Sequence, residues 1–171
     1  MPASPADLFA AFDRLEIAHE TVKHQPIFTV EEGRSIKATM PGGHTKNLFL
    51  RDKKGGLALA CAHADTRVDL TGLGKALGAR GRYSFAKPAL MRAVLGVEPG
   101  SVTPFSLINA AAPALACVAL DKALMGFDRV WFHPLENTAS TAVRPADLVR
   151  FIVDCGFQPQ VLSLSAPLET L

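Results

Sequence analysis

The chain has 171 residues, 49% of them apolar and 20% charged, with a formal net charge of +2. That balance fits one globular domain with a substantial core and argues against a nonspecific DNA coat, while still allowing a local basic patch. No apolar run is long enough to span a membrane, and Met1-Pro2-Ala3-Ser4 lacks the basic start and apolar core of a signal peptide. Cys61, Cys117 and Cys155 lie far apart without a CxxC or CxxH spacing. The expectation is a cytoplasmic protein with buried free thiols, no disulfide framework and no zinc site.

In chain order, Ser4 caps a first helix. Pro5 opens it, and Leu8, Phe9, Phe12 and Leu15 recur at helical spacing. His19 to His24 alternates as a strand. Thr29 caps a short helix, with Glu32 three residues on. Thr45–Asp52 and Leu57–Ala64 form a hairpin joined by Lys53-Lys54-Gly55-Gly56. Its second strand is apolar on both faces and therefore central. Asp69–Leu77 and Lys87–Leu95 are helices stopped by Gly78 and Gly96, with a very short strand at Phe85-Ala86 between them. Cys117–Leu120, Arg129–Phe132 and Thr138–Val143 are strands. Arg144-Pro145-Ala146-Asp147 opens the last long helix, and Gln160–Leu164 returns as a strand. This pattern is one α/β (α+β) domain: a mixed, mostly antiparallel, barrel-like sheet flanked by helices, without a repeating βαβ rhythm.

Three segments could carry chemistry. Lys46 shares a strand face with Leu48 and Leu50, so its ammonium must reach water or meet an anion; Asn47 points to the other face. Gly100-Ser101-Val102-Thr103-Pro104 is either a plain turn or a loop whose amides and hydroxyls face a ligand oxygen. His133 ends an apolar strand and is either a boundary residue or a site residue, with Asn137 nearby. His24, His44 and His63 are further candidates, but no histidine spacing suits a metal. Nucleophile-elbow, Walker A and dinucleotide fingerprints are absent.

In this order and spacing, Thr45-Lys46-Asn47-Leu48-Phe49-Leu50-Arg51-Asp52, the GxxxP loop at Gly100–Pro104 and His133-Pro134-Leu135-Glu136-Asn137 resemble the YbaK/prolyl-tRNA synthetase-associated editing domain family. The Lys-Asn form is similar to its freestanding ProXp-ala and PrdX-type members. The resemblance implies a compact mixed barrel and hydrolysis in trans of a mischarged tRNA, alanyl-tRNA(Pro) foremost, with no cofactor and no metal. It implies that Lys46 binds the terminal phosphate or ribose, that backbone amides of Gly100 and Ser101 face the ester, and that His133 orders the terminal nucleotide or water. A small pocket would use Val22, Ile27, Phe28 and Val30, with polar contacts from His24 and Thr29. Thr45, Asn47, Thr103, Pro104 and Asn137 complete the substrate-binding set. Arg80, Arg82 and Lys87 would follow the acceptor stem. The implied partners are the tRNA(Pro) acceptor end and prolyl-tRNA synthetase. A cysteinyl- or other small-aminoacyl-tRNA deacylase, a noncatalytic tRNA-binding module and a carboxylate-binding domain are the alternatives.

Overall fold

Among the described residues, five α-helices begin and end where local chemistry dictates. A computed structural model describes residues 1–27, 30–111 and 114–165, with only the backbone for Val30. In α1 (Pro5–Arg14), Ser4 Oγ accepts the Asp7 amide and the Asp7 carboxylate accepts the Ser4 amide, a reciprocal capping box. α2 (Val30–Lys37) has Glu31 and Glu32 in its first turn and Arg34 and Lys37 in its last, matching the helix dipole. Asp69 caps α3 (Leu70–Leu77) through the Gly72 amide at 3.0 Å, and Gly78 ends it in the left-handed region. α4 (Pro88–Leu95) starts on proline, and α5 (Pro145–Asp154) buries Leu148, Phe151 and Ile152.

Eight strands form one mixed sheet: β1 (Glu20–Lys23), β2 (Gly43–Arg51), β3 (Leu57–His63), β4 (Ser84–Phe85), β5 (Cys117–Asp121), β6 (Val130–Phe132), β7 (Ala139–Val143) and β8 (Gln160–Leu162). The order is β1-β7-β6-β2-β3-β5-β8, with β4 paired to β2. The β1–β7, β2–β3, β2–β4 and β6–β7 pairs are antiparallel; β2–β6, β3–β5 and β5–β8 are parallel. The expected mixed, mostly antiparallel sheet is therefore present. Its barrel-like character lies in a shared core rather than in closure: among the described residues β1 and β8 do not pair. β3 is central, and Leu57 to Ala62 are all buried, because both of its faces are covered.

On one face Phe49, Leu59, Val118, Leu120 and Phe132 pack against α1, α4, α5 and the 3-10 turn Pro104–Ile108. Phe12, Phe105 and Phe151 meet there edge-on, with centroids 5.1–5.7 Å apart. On the other face Leu50, Ala58, Ala60 and Ala62 pack against Leu73 of α3 and Tyr83.

β2 lies between β6 on one edge and β3 on the other. Gly43 and His44 pair in parallel with Val130 and Trp131 of β6; Thr45 to Arg51 pair with β3. Gly42, at φ +127°, precedes this junction, and a Cβ there would lie 2.6 Å from the Arg129 carbonyl. Only glycine permits so close an approach. The three cysteines are free, and burial pushes each thiol up, so none is a ready nucleophile.

Candidate active site

A cavity of about 230 Å³ opens where β2 parts from β6. Thr45 and Asn47 of β2 line it, together with Phe132 and His133 at the end of β6 and Ser140 of β7. Ile27, Lys37 and Met40 come from the segment around α2, and His44 and Trp131 complete the wall. Among the described residues, no acidic one lines it.

Antiparallel pairing of β1 with β7 places Val22 opposite Ser140, and the His24 amide bonds the Thr138 carbonyl at 2.9 Å. This brings His24 against the pocket. Its Nδ1 donates to the Gln25 carbonyl at 2.8 Å, which leaves Nε2 to accept the Ser140 hydroxyl at 2.8 Å. His133 Nδ1 donates to the Ala139 carbonyl at 2.9 Å, so its Nε2 carries a lone pair. His44 Nε2 donates to the Met40 carbonyl at 2.7 Å and stacks over Trp131. Backbone carbonyls thus fix the tautomers of three imidazoles. Burial first, and then nearby positive charge, pulls His133 and His44 below the ordinary histidine value; Lys37 is one of the charges acting on each. The His24 and His133 rings lie 6.1 Å apart.

The pocket is rich in acceptors. Thr45 Oγ1 donates its proton to the Trp131 carbonyl at 2.7 Å and keeps lone pairs. Ser140, giving its proton to His24, does the same. Asn47 Oδ1 is buried and has no hydrogen-bond partner among the described residues. Such an orphan costs about 1–3 kcal/mol, which marks it as an atom waiting for a donor.

Of the expected site residues, Thr45, Asn47 and His133 line the pocket, and His24 supports it through Ser140. Val22 is half-buried and packs below it with Met40, Trp131 and Ala142. Phe28, Thr29 and the Val30 side chain lie outside the described residues. Asn137 sits in the β6–β7 loop, where Leu135 adopts φ +69°. Its Nδ2 lies 3.7 Å from where a Cβ on Gly100 would stand, so the GxxxP loop and the His133–Asn137 loop meet.

The geometry corrects the expectations for Ser101, Thr103 and Pro104 and places the expected cations on the surface. The Ser101 amide is already bonded to the Glu98 carbonyl at 3.0 Å and the residue is buried, so that N–H does not face an ester. Thr103 and Pro104 are buried as well: Thr103 Oγ1 caps the 3-10 turn through the Phe105 amide at 3.2 Å. They shape the loop rather than line the pocket. Lys46 shares the face of Leu48 and Leu50 as expected, opposite Ala62, but it is exposed, does not line the pocket and has no ion-pair partner among the described residues. Its charge answers to water. Arg80, Arg82 and Lys87 are exposed near the far end of β2, where Arg51 pairs with Ser84. Six strand residues, roughly 20 Å at the usual rise, separate Arg51 from Thr45. Phe85 lies among them at 65% exposure, an aromatic within the basic region that sequence reading did not single out.

Lys37, Ser140 and the His24–Ser140 bond were also missed by sequence reading. The signal for Lys37 was present: Gly33, Ile36, Lys37 and Met40 have the i, i+3, i+4, i+7 spacing of an inward stripe, and all four are buried or half-buried.

The sequence profile of the family described as "Aminoacyl-tRNA editing domain" matches residues 24–151. The bovine (Bos taurus) prolyl-tRNA synthetase associated domain-containing protein 1 is 36% identical over 166 residues, covering 92% of this chain and 96% of its own. The prolyl-tRNA editing protein ProX of Acetoanaerobium sticklandii is 32% identical over 146 residues, covering 85% and 88%. A solved structure described as a candidate trans-editing enzyme for prolyl tRNA synthetase superposes with a TM-score of 0.72 at 22% identity, covering 98% of this chain and all of its own. The profile spans most of the sequence, and both relatives align along nearly their whole length: the chain belongs to the aminoacyl-tRNA editing domain family.

Proposed function

We propose that this protein hydrolyses, in trans, the ester of tRNA(Pro) mischarged with alanine. The observation that carries the reading is the pairing of His133, neutral and with a bare Nε2, with the unpartnered Asn47 Oδ1 in one small cavity. The relatives named for prolyl-tRNA editing and prolyl-tRNA synthetase support the choice of tRNA(Pro).

An aminoacyl ester is an activated substrate, so the protein's task is to position water and stabilise charge. His133 Nε2 can hold the attacking water as an acceptor and draw on its proton. The acceptors Asn47 Oδ1, Ser140 Oγ and Thr45 Oγ1 suit the α-ammonium of the aminoacyl group, a donor of up to three hydrogen bonds. A cavity of about 230 Å³ favours a short side chain, and a second site that admits only the smaller amino acid supplies the discrimination a proline pocket cannot. Lys46, exposed one residue from Thr45 and from Asn47, takes a phosphate of the terminal nucleotides. Arg80, Arg82 and Lys87 contact the acceptor stem farther along the surface, releasing counterions as they bind. Association with prolyl-tRNA synthetase in the cytoplasm would deliver the mischarged product.

The test is incubation of the purified chain with alanyl-, cysteinyl-, seryl- and prolyl-tRNA(Pro), following loss of the amino acid. Alanyl-tRNA(Pro) should be deacylated fastest and prolyl-tRNA(Pro) spared. Faster loss of cysteine would reassign the specificity, and tRNA binding without any loss would leave a noncatalytic module.

A further inference from the structure

Among the described residues lining the pocket, Lys37 is the one lysine or arginine. It stands in the last turn of α2, half-buried, and among the described residues no carboxylate lies within ion-pair distance of its ammonium. Asn47 Oδ1, Thr45 Oγ1, Ser140 Oγ and His133 Nε2 present lone pairs to the cavity, and the Asn47 amide NH2 is the neutral donor beside them. No carboxylate among the described residues meets this ammonium, so an anionic oxygen of a ligand in the cavity can take that place. The helix dipole at the end of α2 also favours a positive charge there. The positive charge of Lys37 acts on two imidazoles of the cavity wall, His44 and His133.

We propose that Lys37 is a catalytic residue that holds the ester carbonyl oxygen as it becomes an oxyanion. The inference rests on the deacylase reading above. In the step, a water oxygen bonds to the ester carbonyl carbon while its proton moves to His133 Nε2. The carbonyl π pair passes to oxygen, where the Lys37 ammonium stabilises it without losing a proton. Collapse of the tetrahedral intermediate breaks the bond to the ribose oxygen, which leaves with the proton from the imidazolium. The amino acid and the free tRNA end are the products. The two polarities of the cavity divide the substrate: acceptors take its amine and Lys37 takes its carbonyl oxygen. Lys46, exposed on the other face of β2, is left for phosphate.

The experiment is single-turnover deacylation of an alanylated minihelix with the tRNA(Pro) acceptor sequence, by the native protein, Lys37→Met and Lys37→Arg. Binding of the uncharged minihelix and the melting temperature are measured alongside. Removing one preorganised oxyanion partner costs roughly 100-fold or more in the chemical step. Lys37→Met should therefore lose about that factor at saturating protein, bind the uncharged minihelix as the native protein does, and melt as a folded protein. Lys37→Arg, which keeps the charge, should recover a substantial part of the rate. A Lys37→Met variant whose rate is restored at saturation, with only binding weakened, would make Lys37 a phosphate contact and overturn the proposal. Equal loss in both variants would overturn it too, because shape and not charge would then matter. If the native protein itself releases no alanine, the parent reading fails first; if it does and Lys37→Met matches it, only this inference falls.

Discussion

Asn47 offers a test in which stability and activity should move in opposite directions. Its Oδ1 is buried with no partner among the described residues, on a strand paired with β3. An unmet buried carbonyl destabilises the native state by about 1–3 kcal/mol. Leucine is close in shape to asparagine and carries no polar atom, so Asn47→Leu removes the orphan while filling the same space against the apolar wall of Phe132 and Met40. Part of the gain is lost because Asn47 is only half-buried and its amide end retains some hydration. A net stabilisation of about 1 kcal/mol is expected, which for a chain of this size raises Tm by roughly 2–4 °C. Deacylation should fall, since one hydrogen bond to a charged donor is worth about 1.5–3 kcal/mol, or roughly 10- to 100-fold in kcat/KM. Thermal denaturation and initial rates on alanyl-tRNA(Pro) give the two readouts. A variant that melts lower and edits as fast as the native protein would show that Oδ1 neither strains the apo protein nor meets the substrate. A local violation of hydrogen-bonding rules at a site of ligand contact is the usual form of a stability–function trade-off.

Three further outcomes follow from the geometry. Burial depresses the His133 and His44 values below the unfolded value near 6.5, so between the two the unfolded chain binds more protons. Stability is then fully present above about pH 6.5 and declines as the pH falls through the depressed native values. Urea titrations of the native protein and His133→Gln should show a smaller acid loss in the variant; identical pH slopes would remove His133 as a source. Gly100 has φ +92°, so Gly100→Ala should cost about 1–2 kcal/mol in backbone strain and shift the loop against Asn137; an unchanged Tm would contradict this. Lys46→Ala should leave Tm unchanged, because the side chain is exposed and has no ion-pair partner among the described residues, and should lower the slope of log affinity against log salt by about one for tRNA. A slope equal to the native one would take Lys46 away from phosphate.

The chain's local chemistry is written plainly in its sequence. Ser4 and Asp7, Pro5, Asp69, Gly78, Pro88, Gly96 and Pro145 mark helix ends, and the structure places helices there within a residue or two. The both-sided apolar run from Leu57 to Ala62 announced a central strand, and it is one. Caps, breakers and side-chain period act over a few residues, so they survive in one dimension.

The pocket is different, because it is made where β6 leaves one edge of β2 after His44. Alternation along β2 correctly set Lys46 on the face opposite Thr45 and Asn47. Only the parting of β2 from β6, under α2, decided which of those faces meets a cavity. The same event brought Lys37, Asn47, His133 and Ser140 together from four segments spread over more than a hundred residues, and it left a favoured strand lysine facing solvent while a half-buried helix lysine came to line the pocket. Which residues a chain contains fixes what chemistry is available. Long-range packing, where each contact depends on the placement of whole elements, fixes which of them act on the same ligand.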